Sequence, residues 1–307
     1  MPPIPIALGP TQERQLVDAI ERGSGVLADI DAARGLVWAT GPDGFPDPLP
    51  PGVEWVQLYA AGVEEFFTTG IIGRNPKVQF TSAAGAFANT VAEHTLALLL
   101  AGVRYLPEQI LATTWRQPEF FPHIGTLRNS TVAIIGAGGI GRALIPMLAA
   151  VGAHVLAVSR SGRPVPGAVE TLPVIRLDEV WARTDHVVIA APATPATKHI
   201  VGADELAQLK PTSWLINIAR GSLVDTDALV KALQNNIIGG AGLDVTEPEP
   251  LPDDHPLWSL PNAIVTPHLS NPPQRRVEAF AERVSANVAR FAAGNELLSK
   301  VDPVSGY

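Results

Sequence analysis

One stretch limits the fold of this chain more than any other. The apolar run Thr131-Val-Ala-Ile-Ile135 leads without a linker into Gly136-Ala-Gly-Gly-Ile-Gly141, and a helical pattern follows over Arg142 to Val151. A strand that turns through G-x-G-x-x-G into a helix opens a parallel β-α-β unit. Gly136 permits the tight turn, Gly138 lets a pyrophosphate approach the backbone, and Gly141 allows the helix to pack closely on the strand. The exposed N–H groups of the turn, Gly139 and Ile140 among them, and the dipole of the helix that follows then hold the phosphates. With 27 glycines in the chain the pattern alone is weak, and the competing reading is a structural glycine turn. The strand before it and the helix after it favour a dinucleotide site.

The rest of the chain repeats that alternation. Strands are expected at Ile4–Leu8, Gly35–Thr40, Val53–Leu58 and Lys77–Thr81, and again at Val155–Val158, His186–Ala190, Trp214–Ile218 and Ile264–Val265. Helices are expected at Thr11–Arg22, Asn89–Arg104, Ala203–Gln208 and Asp225–Gln234. Thr11 with Arg14 makes only half a capping box, so the start of the first helix is open. Alternating strands and helices imply an α/β fold with a doubly wound parallel sheet. The Asn89–Arg104 helix is apolar on more than one face, which suits burial in a large interface.

Bulk properties exclude other classes. A net charge of −8 offers no basic surplus for nucleic acid. Cysteine is absent, so disulfides and thiolate metal sites are excluded, and a cytoplasmic location is the simplest reading. The N-terminus lacks a basic region and is broken by prolines, which makes a poor signal peptide. The longest apolar stretch, Thr95 to Val103, is far below the ~20 residues of a membrane span.

The cofactor type is read at the end of the second strand of the nucleotide fold, where NAD sites place an acid for the ribose hydroxyls. This chain has Ser159-Arg-Ser-Gly-Arg163 there and no acid. Ser159 can donate a hydrogen bond to a 2′-phosphate, and Arg160 and Arg163 supply positive charge. The plainer alternative is a solvated basic loop. NADP(H) is favoured, with NAD(H) possible.

Arg220, Glu249 and His268 stand in local sequences that fit a redox site: Trp214-Leu-Ile-Asn-Ile-Ala-Arg-Gly-Ser-Leu-Val-Asp225, Gly242-Leu-Asp-Val-Thr-Glu-Pro-Glu-Pro-Leu-Pro252 and Ile264-Val-Thr-Pro-His-Leu269. With the upstream fingerprint they supply a cation for a carboxylate, a proton donor with a carboxylate to tune it, and a site for a redox cofactor, the parts needed to bring a hydride and a proton to a carbonyl. His268 is suited to give that proton near neutral pH. Glu249 on the other ring nitrogen would favour the imidazolium and fix the ring. Arg220 would fork onto the carboxylate and carbonyl and stabilise developing negative charge. Taken singly, each residue is more often a solvated charge or a packed histidine.

The order of these segments resembles the D-isomer-specific 2-hydroxyacid dehydrogenases. Matching segments are Ala60-Ala-Gly-Val63, Thr90-Val-Ala-Glu-His94, Ile134 to Arg142, Lys210-Pro, Asn217 to Asp225, Leu243-Asp-Val, Glu249 to Pro252, Pro256-Leu-Trp258 and Thr266-Pro-His268, with an ending at Val301–Tyr307 that is also similar. Coverage runs from about residue 55 to the end; before it the match is poor. The resemblance implies that Arg220, Glu249 and His268 are the catalytic residues. It implies cofactor contacts at Pro192, Thr197, Ala219 and Asp244, the last near the nicotinamide ribose or carboxamide. It gives the backbone N–H groups of Ala61 and Gly62, with Arg220 and His268, to the substrate.

The resemblance further implies a Rossmann cofactor domain, residues 97–272, inserted in a smaller flavodoxin-like α/β substrate domain formed by residues 1–96 and 273–307. The active site is then expected in the cleft between the domains, and the Asn89–Arg104 helix in a homodimer interface. The implied activity is reduction of a small 2-keto acid to the D-2-hydroxy acid, in the manner of glyoxylate/hydroxypyruvate reductases. Two alternatives stay open: a formate- or phosphite-type dehydrogenase of the same superfamily, and a dinucleotide-sensing corepressor-like protein. His94, adjacent to Glu93, is expected at an interface. His123, His154, His186, His199 and His255 lack metal-ligand spacing and are read as structural. Trp115 and Trp258 are expected to pack, and Tyr59 to narrow the pocket or pack.

Overall fold

The computed structural model describes residues 2–303, so the last part of the Val301–Tyr307 match lies outside the described residues. The chain divides into two compact units, one formed by the residues up to Phe87 together with those from Pro272, the other by Ala88–Asn271. The 96/97 boundary expected from sequence falls inside a helix, Ala88–Val103, that belongs whole to the second unit.

The first unit begins β1 (Ile4–Gly9), α1 (Arg14–Arg22), β2 (Gly25–Leu27), β3 (Gly35–Trp38), β4 (Trp55–Leu58), α2 (Glu64–Thr68), α3 (Ile71–Arg74) and β5 (Gln79–Thr81). Its strands form a parallel sheet in the order β2-β1-β3-β4-β5, the flavodoxin-like order. Strands β3 and β4 are buried along their whole length, as expected for a parallel sheet covered on both faces. One face packs around Trp55, Leu16 and Ile20, the other around Trp38, Phe45 and Phe66.

The second unit runs α4 (Ala88–Val103), α5 (Leu106–Leu111), α6 (Gln117–Phe120), β6 (Thr131–Ile135), α7 (Gly139–Ala150), β7 (His154–Ser159), β8 (Glu170–Pro173), β9 (His186–Ile189), α8 (Ala203–Gln208), β10 (Trp214–Asn217), α9 (Thr226–Gln234), β11 (Gly240–Leu243) and β12 (Ala263–Val265). The parallel sheet has the order β12-β11-β10-β9-β6-β7-β8. Counted from β6 this is the doubly wound dinucleotide order with one further strand at the edge. Asp225 caps α9 by accepting the Ala228 N–H at 2.9 Å, a contact worth about 1 kcal/mol.

After Asn271 the chain returns to the first unit as α10 (Pro273–Ala292), which buries Phe280, Val284 and Val288. Asn287, fully buried, donates to Gln57 Oε1 at 2.7 Å and so ties α10 to β4 by a satisfied polar contact.

Candidate active site

The glycine turn sits between β6 and α7 as its sequence requires. Gly136 has φ of +102°, and a Cβ there would lie 2.5 Å from the Ala191 nitrogen, so only glycine fits. Gly138 is the N-cap of α7, and a Cβ on it would meet no atom within 4 Å. The N–H groups of Gly139, Ile140 and Gly141 open the helix without an i−4 carbonyl of their own helix. An open cradle at the start of a 12-residue helix fits a dinucleotide pyrophosphate.

At the end of β7, the Ser159 Oγ accepts the Gly162 N–H at 3.1 Å, which leaves its hydroxyl proton for another acceptor. Arg163 Nε donates to Ser161 Oγ at 3.2 Å, and no carboxylate lies between Ser159 and Arg163. Beyond β9, the Thr197 hydroxyl donates to the Pro192 carbonyl at 2.7 Å and accepts the Thr194 N–H at 2.8 Å. Thr197 therefore shapes the Pro192–Thr197 loop through its own side chain.

Arg220 follows β10 on a turn folded by Asn217. The buried Asn217 amide donates to the Arg220 carbonyl at 2.8 Å and accepts the Ala219 N–H at 3.1 Å. The half-buried Arg220 guanidinium donates to the Ala219 carbonyl at 2.7 Å.

His268 and Glu249 meet. The His268 Nδ1 lies 2.6 Å from Glu249 Oε1, and both side chains are exposed, at 53% and 41%. His268 itself has φ of +54°, a left-handed conformation uncommon outside glycine, which its surroundings hold in place. Asp244 supplies that hold. Its carbonyl accepts the His268 N–H at 2.9 Å. Its carboxylate accepts the Thr266 hydroxyl at 2.6 Å, the Leu269 N–H at 2.8 Å and the Ser270 N–H at 3.0 Å. Burial opposes the charge on Asp244, but these donors, with His94, overcome it and hold its pKa down to about 2.

His94 was expected at an interface, and sequence reasoning did not connect it to the site. Its Nε2 lies 3.0 Å from Thr266 Oγ1 and 3.4 Å from Asp244 Oδ1. Because the Thr266 hydroxyl donates to Asp244, the His94 ring is the donor to Thr266. The signal was available in part, since Thr266 belongs to the same Thr-Pro-His motif; its partner on α4 is too distant in sequence to be inferred. His199, read as structural, pairs through Nε2 with Glu247 Oε2 at 3.2 Å. Tyr59 packs edge-on against Phe280 and accepts the Arg276 Nε–H at 2.6 Å. Trp258 donates to the Pro252 carbonyl at 2.9 Å. Trp115 does not pack as expected: it is 87% exposed.

Ala61 and Gly62 lie in the first unit, on the loop between β4 and α2. Among the described residues their N–H groups donate to no other group. Also among the described residues, no cluster of His, Asp and Glu could hold a metal, and no helix is long and apolar enough to cross a membrane.

Residues 95–270 match the family model described as D-isomer specific 2-hydroxyacid dehydrogenase, NAD binding domain. The chain belongs to the D-isomer-specific 2-hydroxyacid dehydrogenases. Within that family it is 43% identical over 86% of its length to an uncharacterised protein encoded in the proB 3′ region of Corynebacterium melassecola, covering 86% of that protein. It is 36% identical to the glyoxylate reductase of Thermococcus gammatolerans, over 80% of this chain and 75% of the relative. The crystal structure of an NADPH-dependent glyoxylate/hydroxypyruvate reductase from Sinorhizobium meliloti, in complex with NADP and sulfate, superposes with a TM-score of 0.80 at 28% identity, covering 99% of this chain and 100% of the other. This family member is thus an NAD(P)-dependent oxidoreductase with the Rossmann-type fold of its relatives.

Proposed function

We propose that this dehydrogenase reduces a small 2-keto acid, of the glyoxylate or hydroxypyruvate kind, to the D-2-hydroxy acid with NADPH. The observation that carries this reading is the His268–Glu249 pair, an imidazole held at 2.6 Å by a carboxylate in a chain of this family. Glu249 orients the ring through Nδ1, leaving Nε2 to give a proton to the carbonyl oxygen. Arg220 binds the substrate carboxylate and polarises the carbonyl. The reading also gives the unengaged N–H groups of Ala61 and Gly62 to substrate. When bound, the nicotinamide supplies the hydride; the turn at Gly136, Gly138, Gly139, Ile140 and Gly141 holds its pyrophosphate, and Pro192, Thr197, Ala219 and Asp244 border the site.

Preference for NADPH rests on Ser159, Arg160 and Arg163, on the missing acid after β7, and on likeness to the NADPH-dependent reductase of S. meliloti. The reading includes two domains, one for cofactor and one for substrate, a cytoplasmic location and a homodimer. Support for the dimer comes from a run of exposed apolar side chains on the segment after α4, with Ile110, Leu111 and Trp115 at 76%, 77% and 87% exposure.

The test is oxidation of NADPH and of NADH, followed optically, with glyoxylate, hydroxypyruvate, pyruvate and phenylpyruvate. We expect turnover of the first two acids, with kcat/KM at least tenfold higher for NADPH. Equal turnover with NADH would remove the cofactor preference, and no turnover with any of the four would remove the substrate class.

A further inference from the structure

Two histidines in the second unit share an unusual backbone state. His268 has φ of +54° and His199 φ of +50°. Each places its ring on a carboxylate of one short segment, Glu247-Pro-Glu249: His199 Nε2 lies 3.2 Å from Glu247 Oε2, and His268 Nδ1 lies 2.6 Å from Glu249 Oε1. A left-handed residue other than glycine is disfavoured and persists only where its surroundings impose it. The surroundings of His199 are identifiable. Its N–H donates to the Ser222 carbonyl at 2.8 Å, the Val201 N–H to Leu223 at 3.1 Å, and the Asp225 N–H back to Val201 at 2.9 Å. The segment leaving the Pro192–Thr197 loop is thereby laced along the turn that follows Arg220.

That turn in its turn presses on the glutamate segment. A Cβ on Gly221 would lie 1.9 Å from the Thr246 carbonyl oxygen, so the two backbones are in direct contact. The Thr226 hydroxyl adds a hydrogen bond to the Glu247 carbonyl at 2.9 Å. Backbone contacts fix where the segment starts, at Thr246 and Glu247. The Thr246 hydroxyl donates to the Pro248 carbonyl at 2.8 Å and carries that hold to the middle of the segment, and each carboxylate has a histidine ring as its partner.

We propose that His199 is a positioning residue for the Glu249–His268 pair. By holding Glu247 it fixes the Glu247-Pro-Glu249 segment at its first carboxylate, so that the second stays on the His268 ring. Through its backbone N–H His199 is tied to the turn after Arg220, and through its ring to Glu247, two residues before Glu249. The inference rests on the reading of Glu249 and His268 as the proton-handling pair.

The test reads His268 directly and needs no substrate. The titration midpoint of the His268 ring is followed by NMR in the full chain for wild type, His199→Ala, His199→Gln and Glu249→Gln. Only the His199 side chain differs between the first two, and simple electrostatics gives a definite sign: deleting a ring that can carry positive charge raises the midpoint of a neighbouring histidine or leaves it alone. Loss of positioning lowers it, because Glu249 drifts from the ring. We expect His199→Ala to lower the midpoint in the same direction as Glu249→Gln, and His199→Gln to restore it through a retained N–H donor. A midpoint that is unchanged or raised in His199→Ala overturns the proposal, whatever the enzyme turns over. In the reductase assay, His199→Ala and Glu247→Ala each lower kcat about three- to tenfold with the cofactor KM unchanged, and the double variant falls no further. Losses that multiply in the double variant would equally overturn it.

Discussion

At the scale of single residues, this site depends on side chains whose freedom has been removed by neighbours. Asp244 is 1% exposed, and its carboxylate is taken up by the Thr266–Ser270 turn, so His268 is aimed by a buried charge it never touches with its ring. Arg220 stands on a turn built by the Asn217 amide. Its proposed work needs a planar fork, which a lysine of equal charge does not provide. Arg220→Lys is therefore expected to lower kcat/KM by roughly ten- to a hundredfold, the equivalent of one charge-assisted hydrogen bond, with kcat falling as well as KM rising. Steady-state kinetics with the preferred keto acid measures this, and a lysine variant with wild-type kcat/KM would deny Arg220 its bidentate role. The pairing of Glu249 with His268 was legible in the sequence because each sits in a local motif; Asp244 was singled out for the cofactor, and its hold on the Thr266–Ser270 turn was not foreseen. His94 and Glu247 were not assigned, since their meaning lies in partners far along the chain: a histidine on α4 reads as one more interfacial residue until Thr266 and Asp244 are brought beside it.

At the scale of elements, legibility followed the strength of the apolar signal. Thr131–Ile135 is a strand over the whole expected span, and Ala203–Gln208 a helix likewise. Strand β11 went unread because its sequence, Gly-Ala-Gly-Leu, has weak strand propensity. The structure supplies the reason for those glycines: Cβ atoms at Gly240 and Gly242 would strike the side chains of Trp214 and Ile216 on the neighbouring strand. Strands β2 and β8 are short edge strands, where periodicity has too few residues to register. Helix α7 begins at Gly139, ahead of the expected Arg142, because glycines that serve a phosphate turn also make the first helical turn. Contact between elements gives a sharper prediction at Gly221. Alanine there drives a methyl group into the Thr246 carbonyl and must part the Arg220 turn from the Glu249 segment. Gly221→Ala is expected to destabilise the fold by about 1–3 kcal/mol and to lower kcat more than it raises the cofactor KM. Urea unfolding and steady-state kinetics check the two effects. Wild-type stability in this variant would mean that the close approach is not a constraint in solution.

At the scale of the whole molecule, each parallel sheet has two ends, and in the second unit they carry different duties. The carboxyl ends of β6, β7, β9, β10 and β11 lead into the glycine turn, Ser159, the Pro192–Thr197 loop, Arg220 and Asp244, as expected where ligands bind outside strand ends. The amino ends carry stability. His186 opens β9, and its Nδ1 accepts the Trp214 N–H at 3.2 Å from the neighbouring β10. Burial keeps the ring neutral and pushes its pKa down to about 4 from an ordinary 6.5. Asp244, at the other end of the same sheet, is held at about 2 against an ordinary 3.8. These two groups predict how stability depends on pH. The unfolded chain protonates its histidine near pH 6.5 while the folded chain resists, so folding weakens as pH falls from 6.5 towards 4, by up to about 3 kcal/mol. Between 3.8 and 2 the unfolded chain protonates Asp244 first, and a further loss of about 2 kcal/mol follows. Together these approach a large fraction of the 5–15 kcal/mol typical of a folded protein. Above pH 7 neither group contributes any slope. His186→Asn keeps an acceptor for the Trp214 N–H without a titrating ring, and is expected to flatten the upper window while leaving the lower one. Asp244→Asn is expected to do the reverse. Urea unfolding at a series of pH values, followed by tryptophan fluorescence, separates the two windows. If His186→Asn keeps the wild-type slope between pH 6.5 and 4, the buried imidazole is not what makes the fold acid-sensitive.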